Sequence, residues 1–209
     1  MRKLALPLIA VLTLSACSDD RQDVVTVMTT VSEAGAETTS EGEGCANPDA
    51  TLEDTGLYDN MTIVPSPIGD HKALPTDDGD YLFTFTDNKI SDFFDPCQPL
   101  SWVVIGGMWG DESGPGGTGA SSTAVTVFFH YDELITDPLP SSSKQIMESY
   151  RVDDNTIRVI HGQAARSTAE GITDLYNIDH VWRDGQLVTE GADAAAYEAY
   201  AAETTNLRP

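Results

Sequence analysis

From residue 100 onward the hydrophobic pattern is that of strands. LSWVVIGGMW, residues 100–109, is almost continuously apolar, as expected of a central strand with both faces buried. TAVTVFFHY, residues 123–131, is β-branched and aromatic and predicts a second strand joined to the first as a long-looped hairpin. KQIMESYRV and TIRVIHG flank the turn cluster Asp153-Asp154-Asn155, and Asp184-Gly185 divides NIDHVWRDGQLVTEG into two more β-like runs, a strong hairpin signal. Helical signal is sparser. ADAAAYEAYAAE, residues 192–203, predicts a C-terminal helix with Asp193 as its N-cap, and NKISDFFDP, residues 88–96, a short helix ended by Pro96. The pattern predicts an α+β domain, mainly an antiparallel β-sheet of about six strands with one or two short helices.

The other strong apolar run opens the chain. Residues 4–14 follow Arg2 and Lys3 and are far shorter than the ~20 residues of a spanning helix. This is the pattern of an export signal. It ends at Leu14-Ser15-Ala16-Cys17, which resembles the lipobox of bacterial lipoproteins, where cleavage before a diacylglyceryl-modified cysteine leaves a lipid anchor. The expectation is a signal peptide over residues 1–16 and lipidation of Cys17, placing the mature protein on the outer face of a cell membrane. Residues 18–44, SDDRQDVVTVMTTVSEAGAETTSEGEG, lack aromatics and carry Thr, Ser, Glu and Gly. They predict, with Cys17, a disordered acidic tether over residues 17–44, reaching about 30 Å as a coil and about 90 Å when extended. Residues 45–209 then have the size of one domain.

Charge narrows the partners. The chain carries 34 Asp and Glu against 11 Lys and Arg, a formal net charge of −23. All the acids follow Cys17, so the exported part repels nucleic acid and anionic headgroups alike. Nucleic acid is excluded as a partner, and the membrane is approached through the anchor alone. With Cys17 lipidated, two of the three cysteines remain, Cys45 and Cys97. In an exported chain they predict a disulfide, pinning a loosely structured segment of brief apolar runs to the core.

The string Phe94-Asp95-Pro96-Cys97, with Leu100-Ser101-Trp102 opening one strand, Val127-Phe128-Phe129-His130 closing another, and VDDNTIRVIHG after them, resembles the LppP/LprE lipoprotein family of actinobacteria with mycolic-acid envelopes. The resemblance implies an exported, lipid-anchored envelope domain and brings no catalytic residues. Asp95, Pro96, Trp102 and His130 have a structural reading: a strand start and core filling.

Candidate chemistry is dispersed. Ser113 sits in a glycine-rich loop, residues 110–119, and His130, His161 and His180 lie on or beside strands. A serine nucleophile needs a base and an orienting acid, and GDESG does not match the nucleophile elbow G-x-S-x-G. The histidines lack metal-ligand spacing. The carboxylates of TDDGDY, residues 77–80 with Thr76 and Tyr81, read as a polar turn; they lack the calcium-loop pattern. No metal or cofactor is expected. The sequence therefore predicts a non-enzymatic, anchored domain that binds an envelope lipid, glycan or protein through the hairpin of residues 100–131, with the 110–119 loop as a mobile edge. The alternative is an envelope hydrolase assembled from dispersed Ser, His and Asp.

Overall fold

The computed structural model describes residues 45–164 and 171–209; the expected signal segment, Cys17 and the expected tether lie outside them. The described elements run β1 (Thr62–Val64), β2 (His71–Pro75), β3 (Leu82–Phe85), β4 (Ile90–Phe93), β5 (Ser101–Asp111), β6 (Gly114–Pro115), β7 (Ser122–His130), β8 (Glu133–Leu134), β9 (Ser142–Ser143), β10 (Gln145–Asp153), β11 (Thr156–Gln163), β12 (Asp174–Arg183), β13 (Gln186–Glu190) and α1 (Ala194–Ala201). Short 3-10 turns occupy Leu52–Asp54 and Asp87–Lys89. One antiparallel sheet follows the order β1-β2-β3-β5-β7-β8, with β4 and β6 also paired to β5 and β9 to β7. A second is the four-stranded meander β10-β11-β12-β13. This is the mainly antiparallel α+β domain that the pattern predicts, and β5, β7 and β10 to β13 are its expected strands.

The continuous apolar run of β5 has a simple cause. Val103 and Ile105 of β5, with Val125, Val127 and Phe129 of β7, enter a core that includes Leu74, Phe83 and Phe85. Trp102 and Phe128 point the other way, into a second core with Leu100, Ile157, Val159 and Leu187. Because successive strand side chains alternate faces, a strand buried on both sides has no polar alternation to show. Each such buried side chain stabilises the fold by about 1.5–3 kcal/mol. Trp102 also joins the two sheets, its indole Nε1 donating to Ser149 Oγ at 3.0 Å.

Two expectations are corrected. The segment between the cysteines is built structure: β2 pairs with β3, β3 with β5, and Leu57, Leu74, Phe83 and Phe85 are buried. Its apolar runs are short because its strands have three to five residues, too few for periodicity to register. Within residues 88–96 a strand replaces the expected helix. Ile90–Phe93 pairs along β5 from Ile105 to Trp102, and Phe93 stacks on Trp102 with ring centroids 4.7 Å apart. Local helix signal yields here to an available sheet edge. One of the three glycines in β5 also has a packing reason: a Cβ on Gly107 would lie 2.6 Å from the Phe83 ring and from the Thr84 carbonyl oxygen.

The C-terminal helix forms where expected, with Tyr197 as its buried residue. Asp193 occupies the expected N-cap position, but its side chain makes no capping hydrogen bond; its Oδ2 accepts the Asn177 amide at 3.0 Å instead, tying the helix to β12. At the β12–β13 turn Asp184 and Gly185 both have positive φ, 54° and 78°, the backbone that selects Asp-Gly. Beyond α1 the chain returns to the first sheet. Leu207 is fully buried, its amide donates to the Pro140 carbonyl at 2.9 Å, and that of Arg208 to Pro75 at 2.9 Å.

Candidate functional site

The inward face of the second sheet carries two histidines side by side. His161 comes from β11 and His180 from β12, and the alternation that buries Ile157, Val159 and Ile178 buries them as well. Their Nε2 atoms lie 3.3 Å apart. His161 Nδ1 meets Ser143 Oγ at 2.8 Å, and its ring lies 4.4 Å from that of Tyr197. His180 packs on Phe128 of β7 at 4.5 Å. The Tyr197 hydroxyl reaches Ser141 Oγ at 2.7 Å, and that of Tyr200 donates to the Ser142 carbonyl at 3.1 Å. Helix α1 is thus moored by two tyrosines to the segment containing β9.

This cluster is uncharged at neutral pH. Burial lowers the His180 pKa to about 3 despite the opposing pull of Asp179. Burial and then the neighbouring His180 hold His161 well below the ordinary imidazole range. The Tyr197 phenol is pushed up to about 12 by burial. Asp179, beside the cluster, is engaged by Arg158 in a two-pronged pair at 2.6 and 2.7 Å, which lowers its pKa.

Against these residues lies a cavity of about 570 Å³, within the size range of small-molecule sites. Thr126 and Phe128 of β7 form one wall, Ile135 and residues 138–141 another, Leu187 to Thr189 of β13 a third, and α1 covers it with Tyr197, Glu198 and Ala201. His180 lines it as well. The wall is chiefly apolar and contains no Lys or Arg. Its one carboxylate, Glu198, accepts the Thr189 hydroxyl. Thr126 stands out. It is 3% exposed, and its Oγ1 has no hydrogen-bond partner among the described residues.

The residues singled out in the sequence fall into three groups. Cys45 and Cys97 form a disulfide with Cα atoms 4.5 Å apart, and Asp95 Oδ1 accepts the Cys97 amide at 2.9 Å, so Asp95, Pro96 and Cys97 make the turn leading to β5. His130 Nδ1 lies 2.6 Å from the Pro99 carbonyl oxygen and its ring stacks on Trp182 at 4.3 Å; together with Trp102, it joins the sheets. Ser113 does not meet a histidine. Its hydroxyl donates to Asp111, and it lies at the far end of β7 from His130, about 30 Å away by strand length.

The remaining two candidates also have positions in the frame. Asp77 accepts both the amide and Nδ2 of Asn206 at 3.0 and 2.9 Å, and Asp78 accepts Thr76 and Thr205 hydroxyls at 2.7 and 3.1 Å. These carboxylates fasten the C-terminal tail. In the 110–119 loop, β6 folds back on β5, and the Gly116 amide donates to the Trp109 carbonyl at 2.8 Å. That loop does not line the cavity. The sequence reading treats His161 and His180 as separate; the structure joins them. What it misses altogether is Thr126 and Tyr197, since a threonine in a strand and a tyrosine in an alanine-rich helix carry no motif.

In fold and site this is an antiparallel two-sheet domain with an apolar cavity beneath its one α-helix among the described residues. Residues 92–177 match the model of the LppP/LprE lipoprotein family. The matched stretch runs from β4 into β12, and so includes His161 but ends before His180 and Tyr197. The family name describes lipoproteins, which associates the chain with a membrane. No helix among the described residues is long and apolar enough to cross one. Neither the curated proteins nor the solved structures gave a match.

Proposed function

We propose that this chain is a lipid-anchored, extracytoplasmic lipoprotein whose domain is non-catalytic and holds a lipid component of the cell envelope in the cavity under α1. The observation that carries this reading is the cavity itself: about 570 Å³, with walls built from Phe128, Ile135, Leu139 and Leu187. Apolar walls of that extent favour an alkyl body over a glycan, whose hydroxyls would lose water without gaining partners. The lipoprotein family match and the lipobox-like segment ending at Cys17 agree with attachment at a membrane.

The hydrolase reading has one point of contact with the geometry, the Ser143–His161 pair. Three features weigh against it. Ser143 is 1% exposed and is not part of the cavity wall. His161 meets Ser143 through Nδ1, and its other nitrogen, Nε2, faces His180 where a serine-activating imidazole needs an orienting carboxylate. The imidazole pKa values are displaced far below the pH at which a general base works.

The experiment is to purify the full chain from native membranes and extract it with organic solvent for mass spectrometry. Wild type is expected to carry near-stoichiometric lipid. Ala201→Trp, which fills the cavity from the helix side, is expected to lose it. A lipid-free wild type, or an Ala201→Trp variant that keeps its full complement, would overturn the reading.

A further inference from the structure

The orphan hydroxyl of Thr126 says more about the occupant than the cavity volume does. A buried hydroxyl without a partner costs free energy, and native folds leave few of them. Valine would fill the same space without that penalty, and β7 is otherwise rich in valine: Val125 and Val127 flank this position. Thr126 is nevertheless there, 97% buried by its 3% exposure, on the face of β7 that it shares with Phe128 and that forms the cavity wall. Other polar side chains of the wall have partners, Asn206 Nδ2 donating to Asp77. Ser141 pairs with Tyr197, Thr189 with Glu198, and His180 Nε2 with His161.

Charge then limits what can sit against that hydroxyl. No Lys or Arg lines the cavity, its one carboxylate is Glu198, and both histidines lack charge. An anionic head buried here would have no counter-charge and would face a carboxylate. We propose that the cavity holds an uncharged amphiphile, seating its hydroxyl or carbonyl on the Thr126 hydroxyl while its alkyl body covers Phe128, Ile135 and Leu187. The proposal rests on the lipid-holding reading above and adds the chemistry of the bound head.

The test uses the full chain in vesicles of neutral phospholipid, with three photoreactive probes that share one mid-chain diazirine: a decanol, the matching decanoate and the matching decane. Labelled sites are mapped by peptide mass spectrometry. The decanol is expected to label the cavity-lining peptides at least tenfold more than the decanoate. Thr126→Val is expected to melt at or above the wild-type temperature while its decanol labelling falls about tenfold, to the level of the decane. Thr126→Ser, which keeps the hydroxyl, should retain the wild-type preference. Cavity labelling by the alcohol that is unchanged in Thr126→Val, or decanoate labelling equal to decanol labelling, would overturn the proposed head-group contact while leaving the lipid cavity standing. Absence of cavity labelling by all three probes would overturn both.

Discussion

At the scale of single residues, the chemistry of this protein is concentrated in side chains whose ordinary properties are suppressed. His161 and His180 are neutral because burial makes their protonated forms costly, and Ser143, Tyr197 and Phe128 offer them no compensating negative charge. The nearest carboxylate, Asp179 on β12, is committed to Arg158. The unfolded chain would protonate both imidazoles below about pH 6.5, whereas the folded one keeps His180 neutral down to about 3. The unfolded state therefore binds more protons in that interval. Stability is expected to be level above about pH 7 and to fall on acidification, by up to about 1.4 kcal/mol per pH unit for each histidine. Between about pH 6.5 and 4 this loss precedes that of the Asp77, Asp78 and Asp179 carboxylates, whose lowered pKa values place their contribution at more acidic pH. Urea midpoints measured from pH 7.5 to 4.5 check it; a flat profile would refute the buried neutral pair.

At the scale of elements, the segment from Cys45 to Cys97 behaves as part of the sheet. Its strands β1 to β3 extend the sheet from β5, and its aromatic side chains Phe83 and Phe85 fill the first core. The disulfide closes this segment at its base, spanning 52 positions of sequence. In the chain-entropy model a loop of that length is worth about 4 kcal/mol, and native bridges in small exported domains typically contribute about 2–5 kcal/mol. Cys97→Ser is accordingly expected to lower the unfolding free energy by about 2–4 kcal/mol with the urea slope changed, because the unfolded chain becomes less compact. Equilibrium denaturation of the oxidised wild type and the variant measures both quantities. A loss below about 0.5 kcal/mol would mean that the β2–β3–β5 pairing holds the segment by itself.

At the scale of the whole molecule, a domain and an anchor have to be joined, and Cys17 carries that role in the proposed arrangement. Cys17→Ala is expected to move the protein from the detergent phase to the aqueous phase, or to leave it unprocessed with residues 1–16 attached, because one modified cysteine bears both acyl chains. Phase partitioning and intact-mass analysis check it; unchanged retention with normal processing would refute the anchor. The amino-acid sequence alone determined the strands β5, β7 and β10 to β13, the Asp-Gly turn and the position of α1, since each depends on local periodicity or local backbone preference. It also held enough to pair Cys45 with Cys97 once Cys17 was set aside. The tertiary structure decided the rest. Strands of three to five residues in β1 to β4 exist only through the partners they meet, so no window of sequence contains them. The cavity was likewise illegible, because its walls come from β7, Ile135, residues 138–141, β12, β13 and α1. Thr126 and Tyr197 lie 71 positions apart in the chain, and nothing at either position announces the other; the packing of a helix across two sheets brings them to one cavity.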